Sequence, residues 1–228
     1  MASYQKILYI LLESNKAGCV LSPLLFNLFI NDIVSFVQKE SIGVSVGETF
    51  IFILLYADDI ALLAEKETDL QYMIDKLYSF CQESKMTVNI SKTQWLIFEQ
   101  KTSQTTLGIS MTYSEKVIEK VNVFKYLGIF FDNKLTFSYH VKYVLIKADK
   151  AAYLFWQYID RFQSLDTSII LNLFNTIVLP IILYGAEIWF PIISQSNKGK
   201  IESFYMKNLK RILGVPHINR QFSCILRT

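Results

Sequence analysis

The sequence predicts an α+β fold: a mixed helix-and-strand unit over residues 1–135, then a helical unit over 136–228. Three observations carry this. Apolar residues recur with alternating helical and strand patterns up to about residue 135 and with helical spacing after it. The chain is 52% hydrophobic and 14% aromatic, with 8 Gly and 4 Pro in 228 residues, which allows a sizeable core and excludes a disordered tail or a collagen-like chain. Charge divides along the chain as well. Met1–Ser114 carries 8 Lys against 12 Asp+Glu, net −4, and Glu115–Thr228 carries 15 Lys+Arg against 8 Asp+Glu, net +7. An acidic part that can hold cations is thus joined to a basic part that can hold a polyanion.

The first apolar run, ILYILL, is too short for a secretory leader, and ESNKAG after it is a poor cleavage context. LSPLLFNLFINDIVSFV predicts a helix. Ser22 can cap it, Pro23 suits its first turn, and Leu25, Leu28, Phe29, Asp32, Ile33 and Phe36 share one side, so Asp32 interrupts an apolar stripe. TFIFILLYADDIALLAE predicts two strands, Phe50–Tyr56 and Ile60–Ala64, with Asp58-Asp59 at the turn between them. TDLQYMIDKLYSFCQESK predicts an amphipathic helix, with Thr68 and Gln71 at capping-box spacing. Its stripe of Leu70, Met73, Ile74, Leu77, Phe80 and Cys81 covers a sheet face. MTVNISKTQWLIF predicts a short strand, a polar turn and a strand at Trp95–Phe98, and FKYLGIFFDNKL predicts a strand pair about Gly128.

From about Phe137 the segments HVKYVLIKADKAAYLFWQYIDRF, DTSIILNLFNTIVL and KIESFYMKNLKRIL all read as helices. IVLPIILYGAEIWFPII carries Glu187, Pro180 and Pro191, which favours a buried, broken helix over a membrane span, so no stable membrane association is expected. Cys19, Cys81 and Cys224 form no CxxC pair, and His140 and His217 lie far apart. That excludes a zinc cluster of the His/Cys type and favours a reducing compartment.

Two adjacent carboxylates in an apolar hairpin repel each other, and a hard divalent cation is their natural neutraliser. Turn chemistry alone also accounts for Asp-Asp between strands. Four motifs in order decide between these readings: GCVLSPLLFNLFINDI, YADD, MTVNISKTQWLIF and FKYLGIFFD. Together they resemble the reverse transcriptases of non-LTR retrotransposons, over roughly residues 18–215. The resemblance implies a partial palm over 1–135 and a helical thumb or connection region over 136–228.

It also implies RNA-templated DNA synthesis by a two-metal mechanism with Mg²⁺ or Mn²⁺, an RNA template, a DNA primer and dNTP as partners, and an intracellular place in nucleus or cytoplasm. By residue, it implies Asp58 as metal ligand with Asp59 assisting, Lys92 as proton donor to the leaving pyrophosphate, and Tyr56 and Ala57 near the primer end. Ala17, Gly18, Ser22 and Pro23 would contact nucleotide and template. Tyr126, Leu127 and Gly128 would form a primer grip, and Lys207, Lys210 and Arg211 would contact phosphates.

The sequence departs from the family at its start. Ala17 stands where the family has Gln, none of the 17 residues before Gly18 is Asp, and the fingers region is absent. The family's third aspartate is therefore missing, and the resemblance begins as in a 5′-truncated copy. The expectation is an inactive palm-and-thumb fragment; a non-catalytic nucleic-acid-binding remnant and a pseudogene product stay open. Loss of the strand bearing that aspartate is also expected to leave a sheet edge unpaired.

Overall fold

The computed structural model describes residues 5–13, 22–38, 43–98, 110–162 and 165–215. Contacts divide the chain into two units, Met1–Leu135 and Thr136–Thr228.

In the first unit, strand β1 (Gln5–Glu13) is followed by helix α1 (Ser22–Val37) and the short strands β2 (Val44–Val46) and β3 (Thr49–Ile51). Then come β4 (Ile53–Tyr56), β5 (Asp59–Ala64), helix α2 (Glu67–Glu83) and β6 (Thr87–Val88). A single 3-10 turn at Ile90–Lys92 leads into β7 (Gln94–Phe98), β8 (Met111–Tyr113), β9 (Lys116–Lys120), β10 (Val123–Tyr126) and β11 (Ile129–Asp132). The main sheet has the order β4-β5-β1-β7-β9-β8, with β6 also paired to β1; β2–β3 and β10–β11 are separate hairpins. Only β7–β9 is parallel among these pairs.

The strand beside β5 is β1, and the sheet ends at β4 and β8. β1 lies between β5 and β7 and is antiparallel to both, with Leu11 opposite Asp59 and Tyr9 opposite Gln94. Two flanking strands satisfy its backbone groups on both sides, so it is an interior strand and not an exposed edge.

One sheet face carries the core. Ile60, Leu62 and Ala64 of β5 and Trp95 and Ile97 of β7 pack with the α2 stripe of Leu70, Met73, Ile74, Leu77, Phe80 and Cys81. Each buried Leu, Ile or Met contributes about 1.5–3 kcal/mol relative to an exposed one. From α1 the core takes Ile30, Ile33 and Val37, whereas Leu28, Phe29 and Asp32 are exposed. The buried stripe is therefore rotated from the expected one, and Asp32 lies outside it. The capping box at Thr68 and Gln71 is not formed. Helix α2 starts two residues earlier, behind Lys66 and not Thr68, with no side-chain cap. Gln71 turns to β8 instead, donating from Nε2 to Thr112 O at 2.8 Å and accepting the Thr112 N–H at Oε1 at 3.0 Å.

The second unit is helical: α3 (Ser138–Ile159), α4 (Thr167–Ile177), α5 (Leu179–Leu183), α6 (Ala186–Trp189) and α7 (Gln195–Ile212). Pro180 near the start of α5 and Gly185 at φ +60° before α6 break the apolar run 177–193 into short pieces. Among the described residues no helix is long and apolar enough to cross a membrane. α3 and α7 run in the same sense. Asn197 Nδ2 donates to Ser138 Oγ at one end (3.1 Å), and Arg211 donates to Asp160 at the other (2.8 Å). Between them the buried Trp156 indole N–H donates to Asn208 Oδ1 at 2.9 Å.

Candidate active site

The apolar strands β4 and β5 hold the YADD residues on a two-residue turn. Tyr56 pairs with Asp59, so the turn residues are Ala57 and Asp58, not Asp58 and Asp59. The register sets this: Leu54 opposite Ala61 and Leu55 opposite Ile60 bring Ile60 and Leu62 to the core face, and a slip by one residue would turn them outward. Ala57 takes φ +51°, a left-handed conformation that costs a non-glycine residue about 1 kcal/mol or more. The two carboxylates consequently differ. Asp58 is exposed at the tip, whereas Asp59 is the half-buried first residue of β5.

Side chains alternate along a strand, so Asp59 shares a face with Ala61 and Leu63, opposite the α1–α2 face. The β10–β11 hairpin covers that second face. Phe124, Tyr126 and Phe131 close a cavity of about 190 Å³ against Leu54, Ala61 and Leu63. Leu127 and Gly128 make its two-residue turn, both at positive φ (+45° and +86°), as the strand twist of a tight hairpin favours. Burial pushes the Tyr126 phenol above its usual range, and the nearby charge of Asp59 pushes the same way. The 54–63 and 124–131 hairpins thus meet on one sheet face, with Asp59 near enough for its charge to act on the Tyr126 phenol.

Lys92 ends the 3-10 turn before β7 and is exposed. Its backbone N–H donates to Asn89 Oδ1 at 3.3 Å, while the buried Thr93 hydroxyl donates to Asn89 O at 2.8 Å. In Asn-x-x-Lys-Thr the Asn and Thr therefore shape the turn and the Lys is what it presents. Their structural part could have been read from the sequence, since Asn is a strong capping residue. β5 and β7 both start at the same end of β1, opposite Leu11 and Tyr9, so the Asp59 and Lys92 turns leave one edge of the sheet roughly 10 Å apart.

Ala17 and Gly18 lie outside the described residues, and Ser22 and Pro23 are the first two residues of α1. On α7, Lys207 is exposed and Lys210 is half-buried. Arg211 donates to Asp160 Oδ2 at 2.8 Å, with its guanidinium 4.2 Å from the Trp156 ring centre, so part of its donor set already serves the fold.

Among the described residues no group of three His, Cys, Asp or Glu side chains gathers to hold a metal ion. Asp58 and Asp59 suit one hard divalent cation that keeps most of its water. They do not make up the donor set of a two-metal clamp, and the register position opposite Asp59 on β1 is Leu11.

A family model described as reverse transcriptase (RNA-dependent DNA polymerase) matches residues 13–131, from the end of β1 into β11. The chain is 28% identical over 206 residues to the RNA-directed DNA polymerase from mobile element jockey of Drosophila melanogaster, covering 87% of this chain and 22% of that protein. It is 25% identical over 185 residues to the Pol polyprotein from type-1 retrotransposable element R1 2 of Nasonia vitripennis, covering 77% of this chain and 43% of that one. Against the R2 element polyprotein of Popillia japonica it is 28% identical over 129 residues. The chain spans about a fifth of the length of the jockey relative. With the matched region carrying the carboxylate hairpin, the Asn-x-x-Lys-Thr turn and the 124–131 hairpin, the chain belongs to the reverse transcriptase family, with relatives among the non-LTR retrotransposons.

Proposed function

We propose that this chain is the palm-and-thumb part of a non-LTR retrotransposon reverse transcriptase and that it does not polymerise by itself. The observation that supports this most is the meeting of the Asp58–Asp59 hairpin and the Tyr126 hairpin on one sheet face, inside the region matched by the family model. In the whole protein the reaction would be RNA-templated nucleotidyl transfer to a primer 3′-OH. Residues 1–135 would be the palm and 136–228 the thumb.

In this reading Asp58, at the exposed tip, would meet a divalent cation, Mg²⁺ or Mn²⁺, which would offset the charge developing at the attacking and leaving oxygens. Asp59, the first residue of β5, would assist Asp58 in holding that cation. The exposed Lys92 ammonium would lie on the leaving-group side as a proton donor. Tyr56 and the small Ala57 would border the primer end, and Tyr126, Leu127 and Gly128 would grip it. Ala17, Gly18, Ser22 and Pro23 would border nucleotide and template. Lys207, Lys210 and Arg211 would contact phosphate without reading bases.

Among the described residues no third carboxylate joins Asp58 and Asp59, which supports this reading. Primer extension on an RNA template with Mg²⁺ or Mn²⁺ tests this: the expected result is no extension above the Asp58→Asn background. Robust extension that Asp58→Asn abolishes would overturn it.

A second reading, a non-catalytic nucleic-acid-binding remnant, is favoured by the charge of residues 136–228. They carry 11 Lys+Arg against 5 Asp+Glu, or +6. It predicts RNA binding that weakens steeply with salt and survives Asp58→Asn, but falls when Lys207 and Lys210 become Gln.

A further inference from the structure

Helix α3 buries Val141, Val144, Ala148, Ala152 and Phe155. Its outer side carries a different row: Lys142, Ile146, Lys150, Tyr153 and Gln157, with Arg161 just past the helix end. The steps are four, four, three, four and four residues, which keeps all six on one side of a helix. All six are exposed, Tyr153 at 64%. No acid stands in the row, and Asp160 beside its far end is held by Arg211 at 2.8 Å. From Lys142 to Arg161 the row runs about 28 Å.

Three cations along one side make a track for a polyanion. The ring among them narrows the partner. The Tyr153 hydroxyl accepts from Gln157 Nε2 at 2.8 Å, which restrains an aromatic side chain that is otherwise open to water. At the far end the Arg161 guanidinium sits 5.3 Å from the Tyr158 ring centre, so its charge stays on the surface. A restrained ring among cations suits bases that are free to stack, and each base stacked on such a ring strengthens binding roughly fivefold or more. A duplex offers the same phosphates but keeps its bases in their own stack, and an acidic peptide offers charge without flat faces.

We propose that the outer face of α3 is a binding track for single-stranded nucleic acid, with Lys142, Lys150 and Arg161 on phosphates and a base stacked on Tyr153. Such a track needs no polymerase chemistry and uses other residues than the phosphate contacts proposed on α7. The test is fluorescence anisotropy of the full chain with a labelled oligouridylate of about twelve nucleotides and with an RNA duplex of the same length. The variants are Tyr153→Ala, Tyr153→Phe, the pair Lys142→Gln and Lys150→Gln, and on α7 the pair Lys207→Gln and Lys210→Gln. Tyr153 is exposed, so Tyr153→Ala leaves the buried side of α3 intact, and unchanged helix content by circular dichroism checks this. The expected result is that Tyr153→Ala weakens single-strand binding roughly fivefold or more, while Tyr153→Phe stays within about twofold. Duplex binding should be unmoved by Tyr153→Ala. The α3 lysine pair should also lower the salt slope of single-strand binding by about 1.4. Single-strand affinity unchanged in Tyr153→Ala would overturn the proposal, as would a duplex that loses as much as the single strand. Binding that falls only with the α7 pair would also overturn it while leaving the nucleic-acid reading of residues 136–228 standing; no binding at all would sink both.

Discussion

Replacing Gln71 with Leu removes the side chain that ties α2 to the edge strand β8. Thr112 pairs with Val117 on β9, and its own N–H and C=O are both held by the Gln71 amide, at 3.0 and 2.8 Å. Leucine keeps nearly the same volume and helix propensity, so the substitution isolates these two bonds. Each neutral bond contributes about 0.5–1.5 kcal/mol net. Both Thr112 groups are only partly buried, so water replaces part of the loss, and the expected cost is about 1–2 kcal/mol. The third bond, Gln71 Nε2 to Asp75 Oδ1, is exposed and adds little.

Because the chain has two units, a single unfolding curve would mix them. Hydrogen exchange along a urea series, read on peptides from α2 and β8, keeps the measurement in the first unit. Gln71→Glu is the companion. It keeps an acceptor for the Thr112 N–H but sets a carboxylate against the Thr112 carbonyl and Asp75, so it should not rescue. A loss below about 0.5 kcal/mol for Gln71→Leu, with Thr112 protection unchanged, would refute the bridging role.

Gly43→Ala should destabilise the β2–β3 hairpin. Its φ is +119°, and a Cβ there would stand 2.8 Å from Ile51 O; the same exchange assay should show β2 and β3 opening at lower urea. His140 is buried, and burial holds its imidazole below the usual range. The unfolded chain thus binds its proton more readily, so the second unit should lose stability as pH falls below about 6.5; His140→Gln should flatten that slope in urea midpoints taken between pH 7.5 and 5. Burial raises the Tyr113 phenol, and the same sign argument makes the first unit less stable above about pH 10; Tyr113→Phe should remove part of that loss in midpoints between pH 8 and 11.

How much of this was legible depended on how strongly a pattern repeats. The six apolar positions of α2 recur over about three turns, and all six are buried. In α1 the run is apolar almost all round, so composition could show a helix but not its phase; the core takes Ile30, Ile33 and Val37. At the YADD turn the residue types were readable and the register was not, because only cross-strand pairing distinguishes Ala57-Asp58 from Asp58-Asp59. β1 was missed because nine residues rich in Ile and Leu look alike as strand, buried helix or leader. β8 and β9 were missed because their burial is supplied by few residues, chiefly Met111, Tyr113 and Ile118, within a polar stretch. Gln71 and Arg211 show the remaining limit. Side chains with several donors were assigned by local spacing or charge, whereas partners 41 and 51 residues away hold them.

Asp59 of the carboxylate hairpin and Tyr126 of the 124–131 hairpin lie on one sheet face, close enough for the charge of one to act on the other. Titration of the Tyr126 phenol by ¹³Cζ NMR in the unsubstituted chain and in Asp59→Asn measures this directly. The expected result is a phenol above its ordinary value of about 10 that moves down, but not fully back, when the Asp59 charge is removed, since burial persists. An ordinary Tyr126 titration, or a raised one that Asp59→Asn leaves unmoved, would contradict it.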